Sequence, residues 1–514
     1  MERSTIQRLL LPEAFPHPVG DIQLIETHIS WVILTGHFAY KIKKPVDLGF
    51  LNFSELSMRE HYCHEELRLN RRYSPELYLD VVPITGTEQT PAISGSGPVL
   101  DYAVKMQQFE TAKLLESLSE TQGLDNHLLR AVAAELAKSH REFPVAHSAG
   151  DNPAAMRDAM FQNFDQVREY ALDPIVTAQL ETLEEWTRVH LAQLLPFMAQ
   201  RAQQGQIKDL HGDLHLNNMV LLDGAVRFFD CIEFNEDFRV MDTIAEIAFL
   251  AMDVAYKAEP AQRVLNDYLE YSGDYCGLPL LNLYRVYFAM VRAKVNLLRE
   301  PVASVEIQQT LAYQAFSRYV ALALTYTANN PPFMALMHGI AGSGKSTIAA
   351  HAAEQFGAIR LRSDVERKRL FGLQPDDSSD AIQANIYSTA ASENTFDQLT
   401  RLSREVIQSG LPCIVDATFL QRKVRKKFIA LAEALGIPVI IMDCIASQSC
   451  IDERLRQRTR EKNDASEADI DIMQQQLAGA QAFDSSEQPY VVSIDSEKPF
   501  NGEPITKYLQ EKRG

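Results

Sequence analysis

No run in these 514 residues approaches the roughly 20 consecutive apolar side chains that a membrane-spanning helix requires. Cysteine is scarce. The six thiols (Cys63, Cys231, Cys276, Cys413, Cys444, Cys450) are scattered without the short paired spacings of a zinc site, so we expect reduced, mostly buried side chains. Positive charge is in deficit: 50 Lys and Arg against 68 Asp and Glu leave a net charge of −18. That balance argues against general adhesion to nucleic acid or anionic lipid, although a local basic groove stays open. Internal repeats and low-complexity tracts are missing too, which sets repeat architectures aside. The N-terminal apolar run halts at Pro12 and Glu13 without a small-residue cleavage site. No secretory signal is expected there, and the expected address is cytoplasmic.

What is present is a soluble, globular composition, 46% apolar and 23% charged, in a chain too long for one ordinary core. Three regions separate. Residues 1–108 read as short strands ("DIQLIETHI", "WVILTG", "FAYKIKK", "VLDYAVKMQQF") around a helix in "SELSMREHYCHEELRLNRR". Residues 109–326 are mainly helical. A linker is expected at 327–333, where Asn-Asn-Pro-Pro continues neither helix nor central strand. From 334 to 514, apolar runs ("MALMHG", "AIRLRSD", "CIVDATF", "PVIIMDC", "YVVSIDS") alternate with helical stretches, the pattern of a parallel sheet covered on both faces.

Within the helical region stands "HGDLHLNNMVLLDGAVRFFD" (211–230). "NMVLL-DG-AVRFF" predicts a β-hairpin turning at Asp223-Gly224, which folds Asp230 back beside Asn218. Hard oxygen donors so placed suit magnesium, with nucleotide phosphates completing the shell. Asp213 precedes Asn218 by the spacing of the kinase catalytic loop, H-R-D-x-x-x-x-N, and would accept the proton of an acceptor hydroxyl. A phosphate-holding lysine is then required. Lys41 shares a strand face with Ala39, as in the kinase V-A-I-K strand, and Lys43 lies on the same face. Glu66, or its neighbour Glu65, is the expected ion-pair partner, and "VKMQQF" the connection between lobes near Met106.

These residues resemble the aminoglycoside phosphotransferase and choline kinase branch of the protein-kinase-like fold over roughly residues 20–320. The resemblance implies Asp213 as base, Asn218 and Asp230 as metal ligands and Lys41 as the nucleotide-phosphate lysine. Two departures stand out. A glycine-rich loop is replaced by "ETHISW" (26–31), and Asp230 is followed by Cys-Ile instead of Phe-Gly. Asp242 resembles a helix N-cap that supports the catalytic loop.

The second constellation is "GIAGSGKST" (339–347), which fits G-x-x-x-x-G-K-[ST] between an apolar strand and a helix. Gly339, Gly342, Ser343, Gly344, Lys345, Ser346 and Thr347 are the expected nucleotide-binding set. Backbone N–H groups hold phosphate, Lys345 reaches its outer oxygens and Ser346 meets Mg²⁺. Asp364 and Arg367 look like the acceptor site of small P-loop kinases, such as polynucleotide 5′-kinases and zeta-toxin-like kinases. In those relatives the aspartate activates the acceptor hydroxyl and the arginine holds its phosphate. Asp416 resembles the acidic residue that orients the magnesium shell. The arginine-rich stretch 452–470 is similar to their lid, with Arg454, Arg456, Arg458 and Arg460 as candidates for the transferring phosphate; Arg456 and Arg460 share a helix face.

The pairing resembles bacterial bifunctional proteins that join an aminoglycoside phosphotransferase-family domain to a P-loop predicted kinase. The expectation is therefore an α+β, two-lobed kinase-like domain (1–326) followed by an α/β P-loop domain (334–514). Both would use ATP and Mg²⁺ on hydroxyl acceptors: a small molecule in the first, a small molecule or a polynucleotide 5′-hydroxyl in the second. The alternative is a nucleotide-sensing first half that regulates a single active P-loop kinase.

Overall fold

Period-two alternation along one short strand organises the first sheet. In Phe38–Lys43, Tyr40 and Ile42 face one side and Ala39, Lys41 and Lys43 the other. The computed structural model describes residues 1–49, 51–146, 153–170, 172–298, 307–328, 331–378, 386–461 and 470–513. Its N-terminal strands are Gln23–Glu26 (β1), Ser30–Leu34 (β2), Phe38–Lys43 (β3), Tyr78–Thr87 (β4), Thr90–Ile93 (β5) and Val99–Gln107 (β6). They form one antiparallel sheet in the order β1-β2-β3-β6-β4-β5. Tyr40 and Ile42 pack with Trp31, Ile33, Ile6 and Leu9 on one face. Ala39 packs on the other with Val104 and with Cys63 and Leu67 of helix Leu56–Asn70. On that second face Lys43 is buried, while Lys41 is partly exposed and reaches Asp230.

The following region is built on helices Asn126–Glu142, Pro174–Gln203, Thr243–Tyr256, Ala261–Ser272, Leu281–Leu297 and Leu311–Thr327. Two small ribbons interrupt them. Ile207–Asp209 (β7) pairs with Val240–Asp242 (β10), and Met219–Leu222 (β8) pairs with Ala225–Phe228 (β9). Asp223 and Gly224 both take positive φ (49° and 79°), the tight hairpin turn that Asp-Gly favours. Asp242 caps helix Thr243–Tyr256 by accepting from the Ile244 N–H at 3.0 Å, and the buried Arg201 holds that carboxylate at 2.7 Å. Helix Leu311–Thr327 reaches the first residue of the expected linker, whose Asn329 and Asn330 lie outside the described residues.

Beyond it come Met334–His338 (β11), Ile359–Arg362 (β12), Cys413–Asp416 (β13), Val439–Ile445 (β14) and Val491–Asp495 (β15). They form a parallel sheet, ordered β12-β13-β11-β14-β15. Their near-continuous Val, Ile, Leu and Met composition follows from burial on both faces. The first strand sits centrally, with β13 and then β12 to one side and β14 and then β15 to the other, so a crevice is expected at the carboxyl ends of the strands. Asp416, Arg362 and His338 all lie at those ends. Together the folds are the kinase-like α+β and the P-loop α/β architectures expected from the sequence.

Candidate functional site

In the first site the backbone does the initial placing. Asp230 follows β9 with φ at 63°, a left-handed conformation uncommon for a non-glycine residue, though Asp tolerates it better than most. Three bonds hold it here. The Asp230 N–H donates to the Tyr78 hydroxyl (2.9 Å), the Cys231 N–H to Asn70 Oδ1 (2.9 Å) and the Phe229 N–H to the Asn218 carbonyl (3.1 Å). The loop before β8 is tied down separately. The N–H groups of His211 and Gly212 donate to Glu246 (2.8 and 3.1 Å), and Leu216 N–H donates to Asp253 (3.0 Å).

Asp213 is thereby held against Asn218, whose Nδ2 donates to the Asp213 carbonyl at 2.9 Å and to its carboxylate at 3.4 Å. The Asn218 amide nitrogen is spent on Asp213, and its oxygen keeps lone pairs for a cation. Burial works to raise the Asp213 pKa, but His215 at 3.4 Å and the nearby Arg292 outweigh it and hold the carboxyl well below the usual range. It is an anion ready to accept a proton or a hydrogen bond at neutral pH.

The lysine question resolves into two buried ammonium groups sharing one carboxylate. Glu66 is fully buried and accepts from Lys41 Nζ at 2.8 Å and Lys43 Nζ at 2.7 Å. Lys41 also contacts Asp230, whereas Lys43 contacts the buried Glu233. Burial disfavours the Lys41 charge, yet Asp230, Glu66 and Glu233 overcome it and push its pKa well above the ordinary lysine value. Glu65 points elsewhere and pairs with Arg68. The structure thus brings Lys41, Glu66 and Asp230 into contact and Asn218 against Asp213, the two sets joined by the Phe229–Asn218 backbone bond, with Lys43 sharing Glu66. Glu233 was not singled out in the sequence; its spacing from Asp230, D-x-x-E on an irregular segment, gave no periodic signal.

In the second site glycine is needed for space as well as for conformation. Gly339, Gly342 and Gly344 all have positive φ, and a Cβ on Gly339 would meet Ser343 Oγ at 2.5 Å. Helix Lys345–Phe356 starts directly after the loop, aiming its N-terminus at the hollow. Thr347 lies in its first turn. Lys345 Nζ donates to the Ile340 carbonyl at 2.7 Å, folded over the loop where a phosphate would sit. Ser346 Oγ donates to Asp416 Oδ1 at 3.3 Å, and Asp416 Oδ2 is buried without a hydrogen-bond partner. Burial pushes the Asp416 pKa up, against Arg360, Arg362 and Lys345. A divalent cation fits this pair: one hydroxyl, and a carboxylate oxygen that nothing else satisfies. Among the described residues no three His, Cys, Asp or Glu side chains converge on a metal position. Donors in each site come in small open sets, the arrangement in which phosphate and water oxygens complete a magnesium shell.

Asp364 and Arg367 lie in the first turns of helix Ser363–Leu370, bonded to each other at 2.7 Å, and Arg367 Nε is buried without a partner. Of the arginine candidates, Arg454 reaches the phosphate loop. Its guanidinium donates to the Gly342 carbonyl (3.4 Å) and to Ser496 (3.0 and 2.7 Å), while Arg456 is exposed. The Arg458 and Arg460 side chains lie outside the described residues. Gln476, overlooked in the sequence, accepts the Ala341 N–H of the loop at 2.8 Å.

Two family models match separate parts of the chain. Residues 63–279 match the model described as "Phosphotransferase enzyme family", and residues 334–483 the one described as "AAA domain". Uncharacterized protein Rv2004c of Mycobacterium tuberculosis is 28% identical over 461 residues, 87% of this chain and 89% of its own. A choline kinase of Cryptosporidium parvum is similar at 11% identity and TM-score 0.36, covering 62% of this chain and 95% of that one. The APS kinase CysC of Mycobacterium tuberculosis is similar at 17% and 0.27, covering 35% and 99%. The chain thus joins a segment similar to the phosphotransferase enzyme family to one similar to the AAA domain, and the two matches together support ATP-dependent phosphotransfer.

Proposed function

We propose that residues 1–326 and 334–514 are two separate Mg²⁺-ATP-dependent phosphotransferases, each moving a γ-phosphoryl group to a hydroxyl acceptor. The observation that carries the first is the Lys41–Glu66–Asp230 contact beside an ionised Asp213. Lys41 orients nucleotide phosphates, Asp213 accepts the hydroxyl proton, and Asn218 and Asp230 hold the cation. Magnesium, when bound, neutralises charge developing on the transferred group. In the second, Lys345 and the loop N–H groups hold phosphate, Ser346 and Asp416 hold the cation, Asp364 takes the acceptor proton and Arg367 binds an anionic part of the acceptor. The buried, unpartnered Arg367 Nε supports that last role. Among the described residues no helix is long and apolar enough to cross a membrane, and a cytoplasmic setting suits both reactions.

The absence of a glycine-rich loop over the first site favours one other reading, in which that half binds nucleotide and regulates the second. The test is incubation of the full chain with γ-labelled ATP and a metabolite extract. Wild type should label two acceptors, Asp213→Asn should lose one and Lys345→Ala the other. Two acceptors surviving in both variants would refute the proposal, and labelling that depends on Lys345 alone would favour the regulatory reading.

A further inference from the structure

One edge of the P-loop sheet is covered by the other half of the chain. An edge strand presents unpaired N–H and C=O groups that have to be satisfied or shielded. Strand β12 is such an edge, and helix Ala261–Ser272 lies along it. Asn266 acts as a one-residue substitute for a neighbouring strand: its Oδ1 accepts the Arg360 N–H at 2.8 Å, and its Nδ2 donates to the Ala358 carbonyl at 3.1 Å. One helical turn further on, Glu270 is fully buried. It accepts from Arg360 at 2.7 Å, from Arg362 at 3.2 Å and from Arg130 at 3.1 Å.

Both strand arginines also face the second site. Arg360 donates from its other end to the Ser346 carbonyl at 3.4 Å, in the first turn after the phosphate loop. Arg362 is in register with Asp416 across the β12–β13 pair. Asp416 is the carboxylate that accepts from Ser346 Oγ and keeps one oxygen without a partner. Two cations therefore flank the pair of residues assigned to the metal, in a place where water screens little. Glu270 is an anion that both of them contact, and it comes from the N-terminal half.

We propose that Glu270 is a positioning residue of the second site: by occupying Arg360 and Arg362 it leaves Asp416 and Ser346 free to take the divalent cation. With that carboxylate gone, Arg360 and Arg362 turn their charge on Asp416 and oppose cation binding. The second site is then electrostatically complete only within the whole chain. This rests on the reading of 334–514 as a magnesium-dependent kinase.

The test uses the full chain with Asp213→Asn throughout, so that remaining ATP turnover reports the P-loop half. Magnesium is titrated at fixed ATP, reading both turnover and the shift in unfolding temperature that Mg²⁺-ATP produces. Glu270→Gln should raise the half-saturating magnesium concentration at least fivefold in both readouts. Arg362→Gln, which removes a cation beside Asp416, should move it the opposite way. Asn266→Ala, which uncovers the edge without changing charge, should lower the unfolding temperature and leave magnesium half-saturation within twofold. Should Glu270→Gln fail to fold, the sign of the Arg362→Gln shift decides. An unchanged value in Glu270→Gln, an upward shift in Arg362→Gln, or a shift in Asn266→Ala as large as that in Glu270→Gln would overturn the proposal. Absence of Lys345-dependent nucleotide protection in the parent would instead refute the kinase reading, and this inference with it.

Discussion

Lys43→Met and Lys41→Met should separate stability from catalysis, although the two lysines lie two residues apart and bind one carboxylate. Lys43 is 1% exposed, and its removal strands the buried Glu233 while Glu66 keeps Lys41. At the 2.7 Å of the Lys43–Glu66 contact, opposite charges in an effective dielectric of about 20 attract by at most about 6 kcal/mol. Breaking a buried pair from one side costs about 3–5 kcal/mol, because the remaining charge is unpaired. At about 2–4 °C per kcal/mol for a domain of this order, the unfolding temperature should fall by about 6–20 °C. Lys41→Met differs. Glu66 retains Lys43, and Asp230, whose side chain is 43% exposed, is taken up by water. The structural loss should be about 1 kcal/mol, but the charge-assisted bond to phosphate proposed for Lys41 would disappear, worth about 1.5–3 kcal/mol or roughly 10- to 150-fold in kcat/KM. Scanning calorimetry and ATP turnover, both in a Lys345→Ala background that silences the second site, measure the two effects. If Lys43→Met keeps its unfolding temperature within about 2 °C, or Lys41→Met turns over ATP like its parent, the assignment of roles is wrong.

Asp213→Asn should lower kcat of the first site by about 10²–10⁴-fold, with fluorescent-nucleotide affinity changed less than about twofold, because the role proposed for the residue is toward the acceptor hydroxyl and not the triphosphate. Arg454→Ala removes the guanidinium from Gly342 and Ser496; KM for ATP at the second site should rise about tenfold with a smaller change in kcat, read by initial rates in an Asp213→Asn background. The contact between halves should weaken in acid. Burial disfavours the Glu270 anion, but Arg362, Arg360 and Arg130 outweigh it and lower its pKa from 4.5 to about 2. A depressed carboxyl stabilises the fold fully above its unfolded value and loses that contribution as pH falls toward the folded one. Two calorimetric transitions should therefore move apart between pH 4.5 and pH 2 in wild type, and much less in Glu270→Gln; a separation independent of Glu270 would contradict the ion cluster.

What was legible in the sequence was local. The hairpin followed from Asp223-Gly224 between apolar runs, and the parallel sheet from alternating strand and helix patterns, because turn chemistry and burial on two faces act within about ten residues. The grouping of Asp213, Asn218 and Asp230 is likewise a short-range matter, settled by one loop and one hairpin. Choices between equivalent neighbours were not legible. Lys41 and Lys43 share a strand face by the same period of two, so only the distant Asp230 and Glu233 tell them apart. In the arginine-rich helix the phase that turns Arg454 inward depends on where Ile451 and Leu455 are buried, which the run of charged residues conceals.

The contact between halves was invisible for a deeper reason. Glu270 and Arg360 are 90 residues apart and belong to folds that each carry a complete pattern of their own. Nothing in "EYSGDYC" or "AIRLRSD" announces that the helix of one covers the strand edge of the other. Yet a parallel sheet whose outermost strand places arginines next to the buried Asp416 has two needs: a cover for its edge and an anion for its charge. Asn266 and Glu270 meet both from a single helix, one turn apart. Simple tethering of two enzymes would require neither residue. A satisfied edge and an ion cluster at one interface point instead to halves that fold against each other, the arrangement on which the role proposed for Glu270 depends.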